Sequence, residues 1–189
     1  MTWLPPKRLG DPLPDQDAVP SDCDLYLAPV PLRQTLSEHS ADTGTNLGEM
    51  FALHYDSSAA PQLAAGTTLE ITTPGFDGTY LSLTLTLTKE AARSLSRHHL
   101  IHLQATVAQS TEQPIFARLS AESGPNTDVI TEELATDGES VGHIWDMYHT
   151  QFDAMRPGSV WMDLIFSPPA GGRIHVTDLH VFRTPRGGF

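Results

Sequence analysis

From Tyr80 to Thr88, leucines and hydroxyl residues alternate without a break: Leu81, Leu83, Leu85 and Leu87 take one phase, Ser82, Thr84, Thr86 and Thr88 the other. A period of two held over eight residues suits a β-strand and no helix, because successive strand side chains point to opposite faces. A strand of this kind has one apolar face to bury, so the chain must supply a second layer to cover it.

Later segments supply that layer. Strands fit His99–Val107, with Ile101, Leu103, Ala105 and Val107 inward, then Ile115–Ala121, Val129–Leu134, Val141–Tyr148, Val160–Ser167 and Arg173–Arg183. Gly-Pro-Asn at 124–126, Asp137-Gly138, Arg156-Pro157-Gly158 and the 167–172 stretch separate them. Upstream, Thr67–Thr72 reads as a strand closed by the turn cluster Pro74–Gly78. Residues 34–66 read as irregular, with one strand in the apolar piece Met50–Tyr55. Thr88 can N-cap a short helix over Lys89–Arg97, whose C-terminal Arg93, Arg97, His98 and His99 would complement the helix dipole. Eight or nine short strands with frequent turns and one small helix predict an all-β fold. The expected form is an antiparallel β-sandwich with jelly-roll topology.

Two details sharpen that expectation. In Val160–Ser167, Val160, Met162, Leu164 and Phe166 share one phase while Trp161 and Ile165 take the other, so this strand is central or covered on its second face. In the last strand Ile174 and Val176 fall out of phase with Leu179 and Val181, which predicts a β-bulge near Thr177-Asp178.

The N-terminal stretch is of another kind. Its first 31 residues hold seven prolines and several aspartates, which exclude a helix or a central strand. Residues 1–44 are expected to form an extended arm and linker, and 45–189 the sandwich. The arm still carries Trp3, Leu4, Leu9 and Leu13. These apolar side chains lie either over their own domain or in another subunit of an assembly, where they would be the partner-binding residues.

Charge and cysteine content narrow the function. With 11 basic against 23 acidic residues the formal net charge is −12, which argues against nucleic acid and against anionic membranes as partners. Cys23 is alone, so no intrachain disulfide and no cysteine-based zinc site can form. Prolines interrupt the region where a secretory signal needs a continuous apolar run, so synthesis in the cytoplasm is expected, with release as part of a particle left open. The apolar runs fall short of the roughly 18 residues of a membrane span.

Catalytic signatures are missing from the 189 residues: no Gly-x-Ser-x-Gly elbow, no phosphate-cradling glycine loop, no His-Glu-x-x-His. Glu132 and Glu133 are adjacent and face opposite ways on a strand, while Asp163 and Asp178 could meet across neighbouring strands. Surface solvation accounts for both pairs, and no catalytic residue is assigned. Asp77-Gly78 and Asp137-Gly138 could sit in structural calcium loops, but ordinary turn use accounts for them, and no cofactor or metal is expected. Glycan binding needs an exposed aromatic platform with polar groups beside it. Trp145, Tyr148, Trp161 and Asp163 are the candidates, with Asp146 and His149 near in sequence; core membership is the competing account of both tryptophans.

Several blocks carry a resemblance. Thr88-Lys-Glu-Ala-Ala-Arg93, Arg97-His-His-Leu-Ile101, Ala117-Arg-Leu119, Gly124-Pro-Asn-Thr127, Glu133-Leu134, Val160-Trp-Met-Asp-Leu-Ile-Phe166, Asp178-Leu179 and Arg183-Thr-Pro-Arg186 resemble an uncharacterised family of Rhodobacterales and related alphaproteobacteria. The likeness spans about residues 66–186, and the turn at 168–173 departs from it with Ala170-Gly171-Gly172. It implies a bacterial host and no catalytic residue, and the strand pattern is also similar to galactose-binding-type jelly rolls. The expected function is a non-enzymatic carbohydrate-binding or adhesin-like module, docked by its arm to other protein subunits and recognising a surface polysaccharide. The alternative is a structural adaptor, or a spike- or fibre-base subunit of a phage-like particle.

Overall fold

The computed structural model describes residues 44–46, 51–65, 69–87 and 89–186. The arm, with Trp3, Leu4, Leu9 and Leu13, and the capping Thr88 lie outside the described residues. Twelve strands are described: β1 (Gly44–Asn46), β2 (Phe51–Tyr55), β3 (Gln62–Ala65), β4 (Leu69–Thr73), β5 (Leu81–Thr86), β6 (His99–Gln109), β7 (Phe116–Ser123), β8 (Asn126–Glu133), β9 (Ala135–Asp137), β10 (Ser140–Asp146), β11 (Pro157–Phe166) and β12 (Gly172–Pro185). They form two six-stranded antiparallel sheets. The front sheet runs β1-β2-β5-β11-β7-β8 and the back sheet β3-β4-β12-β6-β10-β9. The chain passes repeatedly from one sheet to the other, the interleaving of a jelly roll.

The leucine alternation does what its period demands. Leu81, Leu83, Leu85 and Leu87 are all buried, facing Met162, Leu164 and Phe166 of β11 within a core that the back sheet closes with Ile101, Leu103, Val141, Ile174 and Val181. β11 is central, between β5 and β7. The expected bulge is present: along β12, Thr177 pairs with Thr106 and His180 with Gln104, so three steps on one strand match two on the other. A second shift of the same size, between Pro157 and Val160, starts β11 three residues before the expected Val160.

Three departures have local causes. The helix α1 spans only Lys89–Arg93 rather than reaching Arg97. Ser94 ends it, its hydroxyl donating to the Ala91 carbonyl at 2.8 Å, a local bond that competes with helix continuation. His98 and His99 therefore belong to the next loop and strand, where the Ser96 amide donates to His99 Nδ1. The strand β3 lies in a segment whose sequence reads as turn, and β1 and β9 have no strand pattern of their own. All three are short, terminal in their sheets, and held by a neighbour's register.

The sheet assignment tests directly through Leu85, which is 2 % exposed. Leu85→Asp places an unpaired carboxylate in the core and is expected to destabilise by more than about 4 kcal/mol, enough to unfold the domain. Urea unfolding followed by circular dichroism checks it; a folded variant of unchanged stability would refute the inward facing of β5.

Candidate functional site

The outer face of the front sheet presents a polar floor flanked by apolar rings. Register alone places its members: Thr86 opposite Trp161, Thr84 opposite Asp163 and Ser82 opposite Ile165, with Ser120, Arg118 and Phe116 on the other side of the same three β11 residues. Ser82, Thr84, Ser120 and Asp163 are buried, although their side chains leave the core. Trp161, Ile165, Phe116 and Arg118 are partly exposed around them.

Asp163 is the centre of this arrangement. Its Oδ1 accepts from Ser82 Oγ at 3.2 Å and Thr84 Oγ1 at 2.5 Å, and its Oδ2 accepts from Arg118 Nε at 2.8 Å. A carboxylate taken from water is costly unless paired and hydrogen-bonded, and here both oxygens are supplied. Its side chain is 3 % exposed against 41 % for that of Arg118, so the carboxylate is a support and the guanidinium reaches solvent. Arg118 was not among the sequence candidates. Its signal was an arginine in the middle of the small and apolar run Ile115–Ala121, in phase with Phe116 and Ser120.

The four expected glycan residues separate into three places. Trp161 and Asp163 lie two apart on the front face. Trp145 is core: it is 2 % exposed on β10, the His143 ring meets it edge-on at 5.0 Å, and its indole Nε1 has no hydrogen-bond partner among the described residues. It cannot serve as a surface platform, because the inward phase of β10 carries it between the sheets. Tyr148 is exposed, on a 3₁₀ turn (Met147–His149) at the end of β10. Its ring already carries the guanidinium of Arg186 at 4.5 Å and that of Arg97 at 5.1 Å, with the His149 ring edge-on at 5.5 Å. These contacts engage the ring, yet Tyr148 stays 47 % exposed. Asp146 anchors the group, accepting from Arg186 Nε at 2.9 Å and from the Tyr148 amide at 3.0 Å. Desolvation opposes its ionisation, but the Tyr148 amide and Arg186 together outweigh it and hold the carboxyl below the ordinary value.

The carboxylate pairs also part. Asp163 is on β11 and Asp178 on β12, strands of different sheets, so they do not meet across neighbouring strands. Glu132 and Glu133 are exposed on β8, opposite Ala117 and Phe116 respectively. Among the described residues no group of three or more His, Cys, Asp or Glu is placed to hold a metal, and no helix is long and apolar enough to cross a membrane. His102 stacks on Phe182 at 4.5 Å and shares a 2.8 Å hydrogen bond with Thr184 Oγ1; burial lowers its pKa.

A two-sheet antiparallel sandwich with an outward polar floor defines the architectural class. Within it, the chain belongs to DUF6478, a family of unknown function, whose profile matches residues 8–189. That match takes in residues of the arm as well as the sandwich. No protein of curated function matches. Among solved structures, the enzymatically active domain of bacteriophage CBA120 tailspike protein 4 superposes with a TM-score of 0.50 at 9% identity, covering 70% of this chain and 19% of that one. This chain thus spans about a fifth of the tailspike's length, and the likeness is one of fold. A family 4 carbohydrate-binding module aligns at TM-score 0.43 and 14% identity over 71% of this chain and 94% of its own. The family 11 module of Clostridium thermocellum, in complex with a β-1,3-1,4-mixed-linked tetrasaccharide, aligns at 0.42 and 12% over 71% and 89%.

The Asp77-Gly78 turn is tied to the loop after β2 by hydrogen bonds to two carboxylates. Asp77 Oδ1 accepts from Ser57 Oγ at 2.7 Å and the Ser58 amide at 2.9 Å, and Oδ2 from Ser58 Oγ at 2.7 Å. Beside it Asp56 accepts from Thr79 Oγ1 and from the Thr79 and Tyr80 amides. Gly78 is required here, since a Cβ would stand 2.4 Å from Asp56 Oδ1 and 2.9 Å from the Ser57 amide nitrogen. The hydroxyls of Ser57 and Ser58, then the Ser58 amide, hold the Asp77 carboxyl down from 3.8 to about 2. A depressed folded-state pKa means stabilisation that is complete above pH 3.8 and is lost as pH falls towards about 2. Asp77→Asn is therefore expected to lower Tm at neutral pH, with the difference from wild type closing across that window. Melting curves at stepped pH check it; a constant difference would refute the role.

Proposed function

We propose that this protein is a non-enzymatic carbohydrate-binding module whose site is the outer face of the front sheet. The observation that carries the reading is the floor around Asp163: hydroxyls, a carboxylate and a solvent-reaching guanidinium held in fixed register beside the partly exposed ring of Trp161. Sugars offer an apolar ring face and a rim of hydroxyls, which such a surface matches with stacking and hydrogen bonds at once. Trp161 supplies the stacking surface, Arg118 the donors, and Asp163 positions Arg118. Neither a cofactor nor a metal takes part, and the ligand is a surface polysaccharide of a bacterial host. The test is a glycan array that includes alphaproteobacterial capsule and exopolysaccharide fragments. Wild type is expected to bind, and Trp161→Ala to lose about 1–3 kcal/mol of binding, the scale of one buried aromatic contact, while Tm shifts by only a few degrees. Equal binding by the variant would move the site elsewhere.

A second reading, a structural adaptor or spike-base subunit of a phage-like particle, draws on a different observation. Two arginines gather at one end of the sandwich: Arg97 and Arg186 lie on the Tyr148 ring. Glu112, Glu133 and Glu139 line a cleft of about 470 Å³ at the other. β6 runs from the first end to the second, 11 residues or about 36 Å. The two ends differ, an arginine-clasped tyrosine at one and a carboxylate-lined cleft at the other, which favours head-to-tail contacts between subunits, with the arm as a tether to the assembly. Deleting residues 1–20 is expected to leave a folded sandwich that no longer assembles. Light scattering after size exclusion, alongside thermal melting, decides: unchanged mass with a Tm lower by several degrees would mean that the arm serves its own domain.

A further inference from the structure

Arg118 carries more information about the ligand than the rest of the face. Among the described strands of the front sheet it is the one lysine or arginine on the outer side, where His54 of β2 is the other basic side chain. Its bond to Asp163 uses Nε alone, and no described residue accepts from its two Nη groups. The guanidinium is thus held side-on by a buried carboxylate, with its terminal fork turned to solvent. An arginine fixed by one edge keeps the end-on pair of parallel N–H donors, whose spacing matches the two oxygens of a second carboxylate. Orientation is settled before any ligand arrives, so little side-chain freedom remains to be lost on binding.

We infer that the glycan recognised here is acidic, a uronate-containing polysaccharide whose carboxylate takes the Arg118 fork while its sugar ring lies against Trp161. This deepens the carbohydrate-binding reading and rests on it. Trp161 is the diagonal neighbour of Arg118 across β7 and β11, within reach of a single sugar residue bound at both points. The molecule's net charge of −12 does not forbid an anionic ligand. At physiological ionic strength charges beyond about 8 Å are largely screened; nearer by, Asp163 pairs with Arg118 and Glu133 is its diagonal neighbour on β8, so the directed hydrogen bonds of the fork, not a net positive field, carry the contact. Thr131, opposite Arg118 on β8, is exposed and offers a hydroxyl beside the fork.

A purely structural Arg118–Asp163 pair would share the geometry but not the chemistry. Arg118→Lys keeps the charge and the bond to Asp163 and removes the fork, so it separates the two. The full chain is titrated calorimetrically with oligogalacturonate, oligoalginate and hyaluronan fragments, with neutral galacto- and manno-oligosaccharides, and with poly-glutamate as a charge control. At least one uronate oligomer should bind, more than about tenfold tighter than its neutral counterpart and than poly-glutamate. Arg118→Lys should lose about tenfold or more of that affinity, the expected cost of a bidentate contact, with Tm little changed. Arg118→Gln should abolish it. Neutral oligosaccharides binding as tightly as uronates, or an unaffected Arg118→Lys, would overturn the inference and leave the carbohydrate reading standing. Equal binding of poly-glutamate would overturn it in favour of an acidic peptide. Failure of every saccharide to bind would remove both.

Discussion

The pairing of β5 with β11 fixes the core and the site in one register. Leu81, Leu83 and Leu85 oppose Phe166, Leu164 and Met162, and between them Ser82 and Thr84 oppose Ile165 and Asp163. Because side chains alternate with a period of two, a slip of one residue would turn the leucines outward and the hydroxyls into the core. It would also strip Asp163 of the donors that make its burial tolerable. The apolar inner face therefore enforces the polar outer one. The preorganised Arg118 depends on the hydrophobic pattern, because β7 joins β11 on the other side in a register that sets Arg118 opposite Asp163.

A small all-β domain must also close its loops, and this one does so with carboxylates. Asp56 and Asp77 gather the hydroxyls and amides of the β2–β3 and β4–β5 connections, and Asp146 gathers Arg186 and the turn after β10. These three aspartates of the acidic excess are thereby structural, at the loops. At the Tyr148 end, Arg183 donates to the Ser94 carbonyl and Arg97 to the Tyr148 carbonyl, tying α1 and its loop to β12 and β10.

Where sequence and structure part, the reason is the reach of the interaction. The bulge in β12 was legible because it interrupts a local phase, and so was the central position of β11, whose Trp161 and Ile165 break the simple alternation. The extent of α1 was not, because a serine hydroxyl bonded three residues back outweighs the helix propensity of Leu95 and Arg97. Trp145 and Trp161 look alike in sequence, and only the phase of each strand against its sheet sends one inward and the other out. Tyr148 is at the surface, as a stacking platform must be, but the two arginines on its ring come from 51 and 38 residues away in the chain.

By itself the sequence determined that this chain builds an antiparallel sandwich, because strict two-residue alternation and closely spaced turns leave apolar strands no other way to be covered. It determined as well that Trp161 and Asp163 share a face, since they are two apart on one strand. Only the tertiary structure decided that Asp163 is buried and that Arg118, 45 positions earlier, is the residue it holds. Strand order brings β7 rather than β12 beside β11, and that order arises from the packing of two whole sheets, which no local pattern records.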